Sequence, residues 1–196
     1  GNTYELDDNM LVISDEQSVD DLAGIMGGKR TGVTENTTRM FLEAAIFDPV
    51  SIANTGRKLN LNSDARYRFE RGLDYNSPET VMHYAAGMIN KICGGKFSKI
   101  VNFKLEQKNK IIKFDPNAVY QLTGVKIENI LSKSILEQLG FKIVPVDNIW
   151  DITPPSWRPD IDGSADIVEE IVRIQGYEKI PSIKLSRSNY IAKPAL

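Results

Sequence analysis

The stretch Phe141-Lys-Ile-Val-Pro-Val-Asp-Asn-Ile-Trp-Asp-Ile152 decides the fold of the second half of the chain. Two apolar, β-branched runs flank the turn pair Asp147-Asn148, and this pattern predicts a β-hairpin. Immediately before the hairpin, a helix is predicted from about Glu128 to Leu139, with Gly140 as its C-terminal stop. The residues expected to share one face of that helix are Ile130, Leu131, Ile135 and Leu139.

Two more elements precede this helix, and one follows the hairpin. Ile111–Phe114 predicts a strand, and Asp115-Pro116, a capping residue followed by proline, starts a short helix that ends near Gly124. Strand, helix, helix and hairpin follow one another in the order of a winged-helix-like module. A final helix is predicted from about Ala165 to Gln175. Its inward-facing residues are expected to be Ile167, Val168, Ile171, Val172 and Ile174.

The first half of the chain also mixes strands and helices. Leu11–Ser14 predicts a short strand, and the apolar run Met40–Phe47 predicts a buried strand. Asp48-Pro49 then starts a helix that should continue to about Lys58. Helical spacing of apolar residues predicts another helix from Ser77-Pro78 to the stop at Gly94-Gly95. The fold class is therefore α+β, and we place a domain boundary in the polar, lysine-rich stretch Lys96–Lys110.

Composition excludes several classes of protein. The 196 residues carry a formal net charge of −2, and 41% of them are apolar, which excludes a disordered polymer. No apolar run reaches the roughly 20 residues of a membrane helix, and the first residues do not resemble a signal peptide. Cys93 and His83 are the only residues of their types, so neither an internal disulfide nor a Cys/His zinc set is possible. We expect a cytoplasmic protein, with Cys93 in the core and His83 at the surface or packed against it.

Four acidic residues near the C-terminal helix are candidate magnesium ligands. Asp160 lies six residues before Asp166, which shares a helical face with Glu169 and Glu170, and Mg²⁺ prefers oxygen ligands of this kind. The alternative is that the acids suit the N-terminal turns of the helix, with Arg173 paired to Glu169 or Glu170. Spacing alone favours this alternative.

Glu43 and a pair of glycines are further candidates. A carboxylate among apolar neighbours faces either a pocket or the solvent, and the sequence leaves both interpretations of Glu43 open. Gly27-Gly28 indicates a tight turn rather than an anion-binding loop, because no phosphate-binding glycine motif surrounds it. Asn62–Gly72 mixes basic residues with Tyr67 and Phe69, as an RNA-contacting surface does. For this stretch we favour a helix with surface ion pairs and buried aromatic rings.

An ordered series of motifs resembles one family, the β chains of bacterial phenylalanyl-tRNA synthetases. The resemblance runs from about Leu11 to Pro181. The motifs are Leu22-Ala-Gly-Ile-Met-Gly-Gly28, Leu42-Glu-Ala-Ala45, Phe47-Asp-Pro49, Asn62-Ser-Asp-Ala65, Arg68-Phe-Glu-Arg-Gly72, Pro154-Pro-Ser-Trp-Arg-Pro-Asp-Ile161, Glu169-Glu170 and Gly176-Tyr177.

The resemblance implies an internal part of a longer chain. Residues 1–104 would be the C-terminal part of an α/β editing (tRNA-binding core) domain, 105–190 the winged-helix-like module, and 191–196 the start of a linker to a catalytic-like domain. Two α and two β chains would attach phenylalanine to tRNA using ATP. The β chain would hydrolyse tyrosine wrongly attached to that tRNA, and no membrane is involved.

The resemblance also implies residue roles. Glu43 matches the editing-pocket residue that senses the tyrosine hydroxyl, and Gly27, Ser63 and Ala65 match positions that line the pocket. Many relatives have threonine where Ser63 stands. The pocket histidine of the family lies upstream, so this chain alone should not edit, and no catalytic residue is assigned.

The four acids named above match a magnesium site shared with the α chain, and electrostatic docking to that chain is an equally tenable role. The alternative to the whole assignment is a stand-alone winged-helix module that binds nucleic acid, or a scaffold without catalysis.

Overall fold

The computed structural model describes residues 1–103 and 110–184 of the chain. It forms two compact units: Gly1–Lys108 with Ser156–Asp160, and Asn109–Pro155 with Ile161–Leu196. Each unit combines helices with a small antiparallel sheet, so the predicted α+β class is confirmed. The expected linker at 191–196 lies outside the described residues. Within those residues, every helix is too short or too polar to span a lipid bilayer.

The first unit begins with a three-stranded antiparallel sheet in the order β1-β2-β3. Its strands are β1 (Val12–Ser14), β2 (Val19–Leu22) and β3 (Met26–Gly27). Asp15 organises the turn between β1 and β2, because its Oδ1 accepts hydrogen bonds from the backbone N–H groups of Ser18 and Gln17 at 2.9 and 2.8 Å. These two bonds, together with an ion pair to Arg30, lower the pKa of Asp15 to about 2.

Three helices follow the sheet of the first unit. They are α1 (Pro49–Lys58), α2 (Asp64–Phe69) and α3 (Ser77–Cys93). The predicted start of α1 is confirmed, because the carboxylate of Asp48 accepts a hydrogen bond from the backbone N–H of Ser51 at 2.7 Å. Proline suits the first helical position, where no intrahelical partner exists for an N–H. The core of the unit consists of Leu22, Ile25, Ile52 and Leu61.

Two predictions for the first unit are wrong. Met40–Phe47 contains no strand, and the side chain of Phe41 is 91% exposed. An apolar run becomes a strand only where a neighbouring strand satisfies its backbone, and the described sheet of this unit consists of β1 to β3 alone. Cys93 is exposed rather than part of the core, because it is the last residue of α3, a helix without a buried residue.

The second unit contains a three-stranded antiparallel sheet in the order β4-β6-β5. Its elements are β4 (Ile112–Phe114), α4 (Ala118–Thr123), α5 (Asn129–Gln138), β5 (Lys142–Val146), β6 (Ile149–Thr153) and α6 (Ser164–Gln175). The predicted hairpin is confirmed as β5–β6, with Asp147 in the turn at a φ of 54°. Helix α4 begins two residues after Pro116, because the Oδ1 of Asp115 accepts from the backbone N–H of Asn117 at 2.9 Å and forms a turn there.

The core of the second unit lies between its sheet and its helices. The side chains with no exposed surface are Phe114, Leu136, Ile152, Ile167 and Ile171. The buried face of α5 differs from the prediction: Ser132, Ile135 and Leu136 are buried, whereas Ile130 is 82% exposed and Leu131 is also exposed. The apolar residues of α5 therefore span a broader arc of the helix surface than the part that packs against the core.

The C-terminal helix α6 also departs from its prediction at two positions. Ile174, expected to face inward, is 49% exposed because it lies in the last turn of the helix. Glu170, expected on the polar face, is buried, and the guanidinium of Arg173 pairs with it at 2.7 Å. A buried carboxylate needs such a partner, so the alternative of an Arg173 pairing with Glu170 is confirmed.

Candidate functional site

Glu43 lies at the wall of a cavity of about 300 Å³ in the first unit. The segment 43–47 forms one side of this cavity, and residues around the start of α3 form another. The remaining lining residues are Phe69, Leu73, Ser77, Pro78 and Val81. Most of these side chains are apolar, so the carboxylate of Glu43 is the one acidic group that the wall presents. Such a cavity is suited to an aromatic or aliphatic group that carries a hydrogen-bond donor.

The pKa of Glu43 is raised above its ordinary value. The larger cause is partial removal of water around the carboxylate, and the smaller is repulsion from Asp21. The residue remains accessible from solvent, so a ligand can reach its oxygens. A carboxylate in a partly dry, apolar wall is a strong acceptor for a hydroxyl group.

Asp21 connects Glu43 to the paired glycines. Its Oδ1 accepts a hydrogen bond from the backbone N–H of Gly28 at 2.8 Å, and residue 21 stands opposite Gly27 in the β2–β3 ladder. A Cβ atom at Gly27 would lie 3.4 Å from that Oδ1, whereas a Cβ atom at Gly28 would overlap the carbonyl oxygen of Asp20. Of the two glycines, Gly28 is thus the one that the fold itself requires. Sequence reasoning missed Asp21, because its place opposite Gly27 follows from the pairing of β2 with β3.

Ser63 is held by two hydrogen bonds at the start of α2. Its Oγ donates to the carbonyl oxygen of Ile25 at 2.7 Å and accepts from the backbone N–H of Arg66 at 3.1 Å. The hydroxyl therefore caps α2 and ties the helix to the β2–β3 turn. Ala65 lies in the first turn of the same helix and is partly exposed.

Three of the four predicted pocket residues, Glu43, Gly27 and Ser63, are thus connected through neighbouring residues, and Ala65 follows Ser63 in α2. The carboxylate of Asp21 repels that of Glu43, and Asp21 pairs with Gly27 in the β2–β3 ladder. The hydroxyl of Ser63 donates to the carbonyl oxygen of Ile25, which immediately precedes the strand that contains Gly27. Among the described residues that line the cavity, Glu43 is present and Gly27, Ser63 and Ala65 are not. The sequence did not identify the aromatic part of the wall, Phe47 and Phe69, whose rings are in contact at a tilt of 48° with centroids 5.1 Å apart.

The four acidic residues near α6 each have a partner within the protein. Asp160 forms an ion pair with Arg158 at 2.6 Å, which lowers the pKa of this aspartate. The carboxylate of Asp166 accepts hydrogen bonds from the backbone N–H groups of Asp162 and Gly163, both at 2.8 Å, and so caps α6.

The remaining two acids are also engaged. Glu170 pairs with Arg173, and a Glu169 oxygen lies 3.5 Å from the hydroxyl of Tyr177. Across 1–103 and 110–184, no three acidic, histidine or cysteine side chains gather into a set able to hold a metal ion. The oxygen donors have the chemistry that Mg²⁺ prefers, but in this chain alone they do not fit a magnesium site.

Comparisons with known proteins agree along the whole chain. The family model for the B3/4 domain matches residues 1–94, and the model for the tRNA synthetase B5 domain matches residues 112–177. Similar proteins named phenylalanine–tRNA ligase beta subunit occur in Bradyrhizobium diazoefficiens (43% identical) and Paramagnetospirillum magneticum (44% identical). Both alignments cover 100% of this chain and 25% of the relative. A third, from Cereibacter sphaeroides, is 42% identical over 100% of this chain and 24% of its own length. The chain thus spans about a quarter of the length of these relatives.

Proposed function

The chain belongs to the family of phenylalanine–tRNA ligase β subunits, and from this premise we propose that its protein attaches phenylalanine to tRNA. An α subunit would act with it, as two α and two β chains, and ATP would activate the amino acid in the cytoplasm. The observation that carries the proposal is an identity above 40% that extends over all of this chain in relatives named for that ligase. Both family models match within the same chain, which supports a common architecture.

The first unit would contribute to the hydrolysis of mischarged tyrosyl-tRNA. Support comes from Glu43, the acidic group in an otherwise largely apolar cavity lined by Phe47 and Phe69. The hydroxyl of a tyrosyl group could donate to this carboxylate while its ring contacts the apolar wall. Phenylalanine would leave the acceptor without a partner, and a site built for a hydroxyl discriminates strongly against an analogue that lacks one. Gly27, Ser63 and Ala65 would shape the pocket around this contact.

The second unit would be a winged-helix-like module that faces the α subunit. The order of its strand, two helices and hairpin supports this proposal. We propose that the exposed Asp160 and Glu169, together with the partly exposed Asp166, act mainly through their charge in docking to that subunit, whereas the buried Glu170 orients Arg173. Any Mg²⁺ would be shared with the α chain and would need ligands from it, since the four acids do not make a site themselves.

The proposed ligase activity is tested by amino-acid-dependent pyrophosphate exchange. The complete parent chain is co-expressed with its α partner, and exchange is measured with each of the standard amino acids. Exchange with phenylalanine, alone or with weak tyrosine activity, is the expected result. A well-assembled complex without phenylalanine-dependent exchange would reject the ligase proposal.

The proposed editing role is tested by replacing Glu43 with alanine in the complete enzyme. Hydrolysis of tyrosyl-tRNA should fall about 10-fold or more, while charging with phenylalanine persists. Glu35→Ala is the matched control, because Glu35 is an exposed acid of the same unit outside the cavity wall. Equal hydrolysis by the Glu43 variant and the control would reject the role of this carboxylate.

A second variant tests the shape of the same pocket. Ala65→Trp should block access and abolish hydrolysis of tyrosyl-tRNA, because a ring at this proposed pocket position would take up the volume that the tyrosyl group needs. Undiminished hydrolysis would show that Ala65 lies outside the pocket.

Nothing in the described residues favours a stand-alone DNA-binding role for the second unit. The cation of α5, Lys133, pairs with Glu137 of the same helix at 3.8 Å. A major-groove recognition helix presents unpaired basic and polar groups instead.

A further inference from the structure

The segment around α2 is basic within a chain that is acidic overall. Arg57 to Arg71 contains five Lys or Arg residues and two acids, a local charge of +3, whereas the whole chain carries −2. Helices α1 and α2 meet at Gly56, where the side chain of Arg66 packs so closely that a Cβ atom would overlap it. Arg66 is therefore packed between the two helices and fixes α2 against α1.

Two planar side chains form a stack on the outer face of this segment. The guanidinium of Arg71 lies over the ring of Tyr67, with its Cζ 3.7 Å from the ring centroid. Its Nη1 also donates to the carbonyl oxygen of Tyr67 at 2.6 Å and to a carboxylate oxygen of Glu70 at 3.0 Å. These contacts fix the orientation of the guanidinium. Tyr67 is nevertheless 61% exposed, and the side chain of Arg71 is 54% exposed.

A second arginine beside this stack is available for an anion. Arg68 is exposed, and in the part of the chain that the structure describes its guanidinium has no hydrogen bond or ion pair. The neighbouring acid, Glu70, forms ion pairs with Arg66 and with Arg71 instead, both at 3.0 Å. Because Arg68 and Arg71 are both exposed and Glu70 is the acid beside them, this face has a net positive charge.

We infer that Tyr67, Arg68 and Arg71, here called the α2 platform, bind an unpaired nucleotide of RNA. A base would stack on the exposed guanidinium–phenol pair, and Arg68 would bind the adjoining phosphate. Stacking on aromatic rings and arginine planes, combined with cationic contacts to phosphate, is how proteins hold unpaired nucleotides. This inference rests on the proposed function, which makes tRNA the natural source of that nucleotide.

The chemistry of the platform favours RNA over a protein partner. An acidic peptide would need the positive charge but not an oriented stack of two exposed planar groups. A nucleotide uses both, since each base has a π face and each link carries a phosphate. A duplex would use the phosphate contact alone, because its bases are already stacked on one another.

The test measures the affinity of uncharged tRNA for the complete α/β enzyme by fluorescence anisotropy at several salt concentrations. Arg68→Gln should weaken binding about 5-fold and lower the magnitude of the salt slope by about 1, as expected when one phosphate contact is lost. Tyr67→Leu should weaken binding about 5- to 10-fold without changing the slope, because stacking releases no counterion. Arg71→Lys retains the charge, so it should lose affinity while the slope is preserved.

The second unit provides a matched control. The ring of Tyr120 is 52% exposed, and the ammonium group of Lys126 lies 5.6 Å from its centroid. Tyr120→Leu and Lys126→Gln therefore remove the same kinds of group from a different surface, and tRNA affinity should stay within about 2-fold of the parent.

Two outcomes would overturn the inference. In the first, the platform variants bind tRNA as the control variants do. In the second, they lose assembly with the α subunit while their affinity for tRNA persists, which would assign the surface to a protein contact. Charging is measured on the same samples. Failure of the parent to charge tRNA rejects the proposed function, whereas normal charging with unchanged tRNA affinity in the variants rejects only the platform.

Discussion

Replacing Gly28 with alanine tests the packing of the β2–β3 hairpin. A Cβ atom there would overlap the backbone carbonyl oxygen of Asp20, and a backbone atom cannot rotate away as a side chain can. The two strands would have to separate by on the order of 1 Å. That shift would break the 2.8 Å hydrogen bond from the Gly28 N–H to the Oδ1 of Asp21. Strain and the lost bond together should cost about 2–4 kcal/mol.

Gly27→Ala is the matched control for this prediction. The same methyl group would meet the Oδ1 of Asp21 at 3.4 Å, which is an ordinary contact, so the free energy of unfolding should change by less than about 1 kcal/mol. Urea unfolding measures both variants, and hydrogen exchange of the β1 and β2 amides assigns any loss to the first unit. A Gly28→Ala protein as stable as the parent would refute the argument that the Asp20 carbonyl excludes a side chain.

Three further predictions concern stability. Partial burial and the charge of Asp21 raise the pKa of Glu43, so folding disfavours the ionised form of this side chain. The parent should therefore lose stability relative to Glu43→Gln as the pH rises above 4.5. Identical pH profiles of the two proteins in urea unfolding would contradict this. The pKa of Asp15 is lowered to about 2, so its contribution to the stability of the fold is fully present above pH 3.8 and is lost as the pH falls towards 2. The stability gap between the parent and Asp15→Asn should therefore close below that pH in acid titrations followed by circular dichroism. Ile171→Ala should cost about 2–5 kcal/mol, whereas Ile174→Ala should cost less than about 0.5 kcal/mol; similar thermal shifts for the two would mean that the buried face of α6 is misassigned.

Elements marked by local chemistry were predictable from the sequence. Asp48-Pro49 starts α1 because capping and the fixed φ of proline act within a few residues. The β5–β6 hairpin is likewise specified by its own turn, in which Asp147 adopts a positive φ. Such signals need no information from distant parts of the chain.

Predictions that depend on distant partners were less successful. The apolar content of Met40–Phe47 reads as a strand, but a strand also needs a neighbour to pair with, and the sequence does not say which neighbour is available. The same applies to Ile130, because an apolar residue at helical spacing is buried only where another element covers it. Cys93 was placed in the core by residue type alone, whereas its position at the end of α3 leaves it exposed.

In the candidate site, too, the feature set by local sequence was predictable and the feature set by a distant partner was not. An acid among apolar neighbours pointed to Glu43, and the structure places it at a cavity wall with a raised pKa. Its electrostatic neighbour Asp21 escaped notice, because only the pairing of β2 with β3 brings residue 21 beside Gly27. Whether Gly27, Ser63 and Ala65 contact a ligand remains a prediction that the variants above test.

The short segment Ser156–Asp160 makes the first unit discontinuous in sequence. Within that unit, the Cβ and Cγ atoms of Pro159 would lie 3.2 Å from a Cβ atom at Gly72, whose φ is +82°. In the sequence, the segment is flanked on both sides by residues of the second unit, Pro155 and Ile161. During synthesis on the ribosome, the first unit therefore stays incomplete until residue 160 has been added. A polypeptide that ends at the boundary near Lys108 would therefore lack Ser156–Asp160, which is part of the first unit.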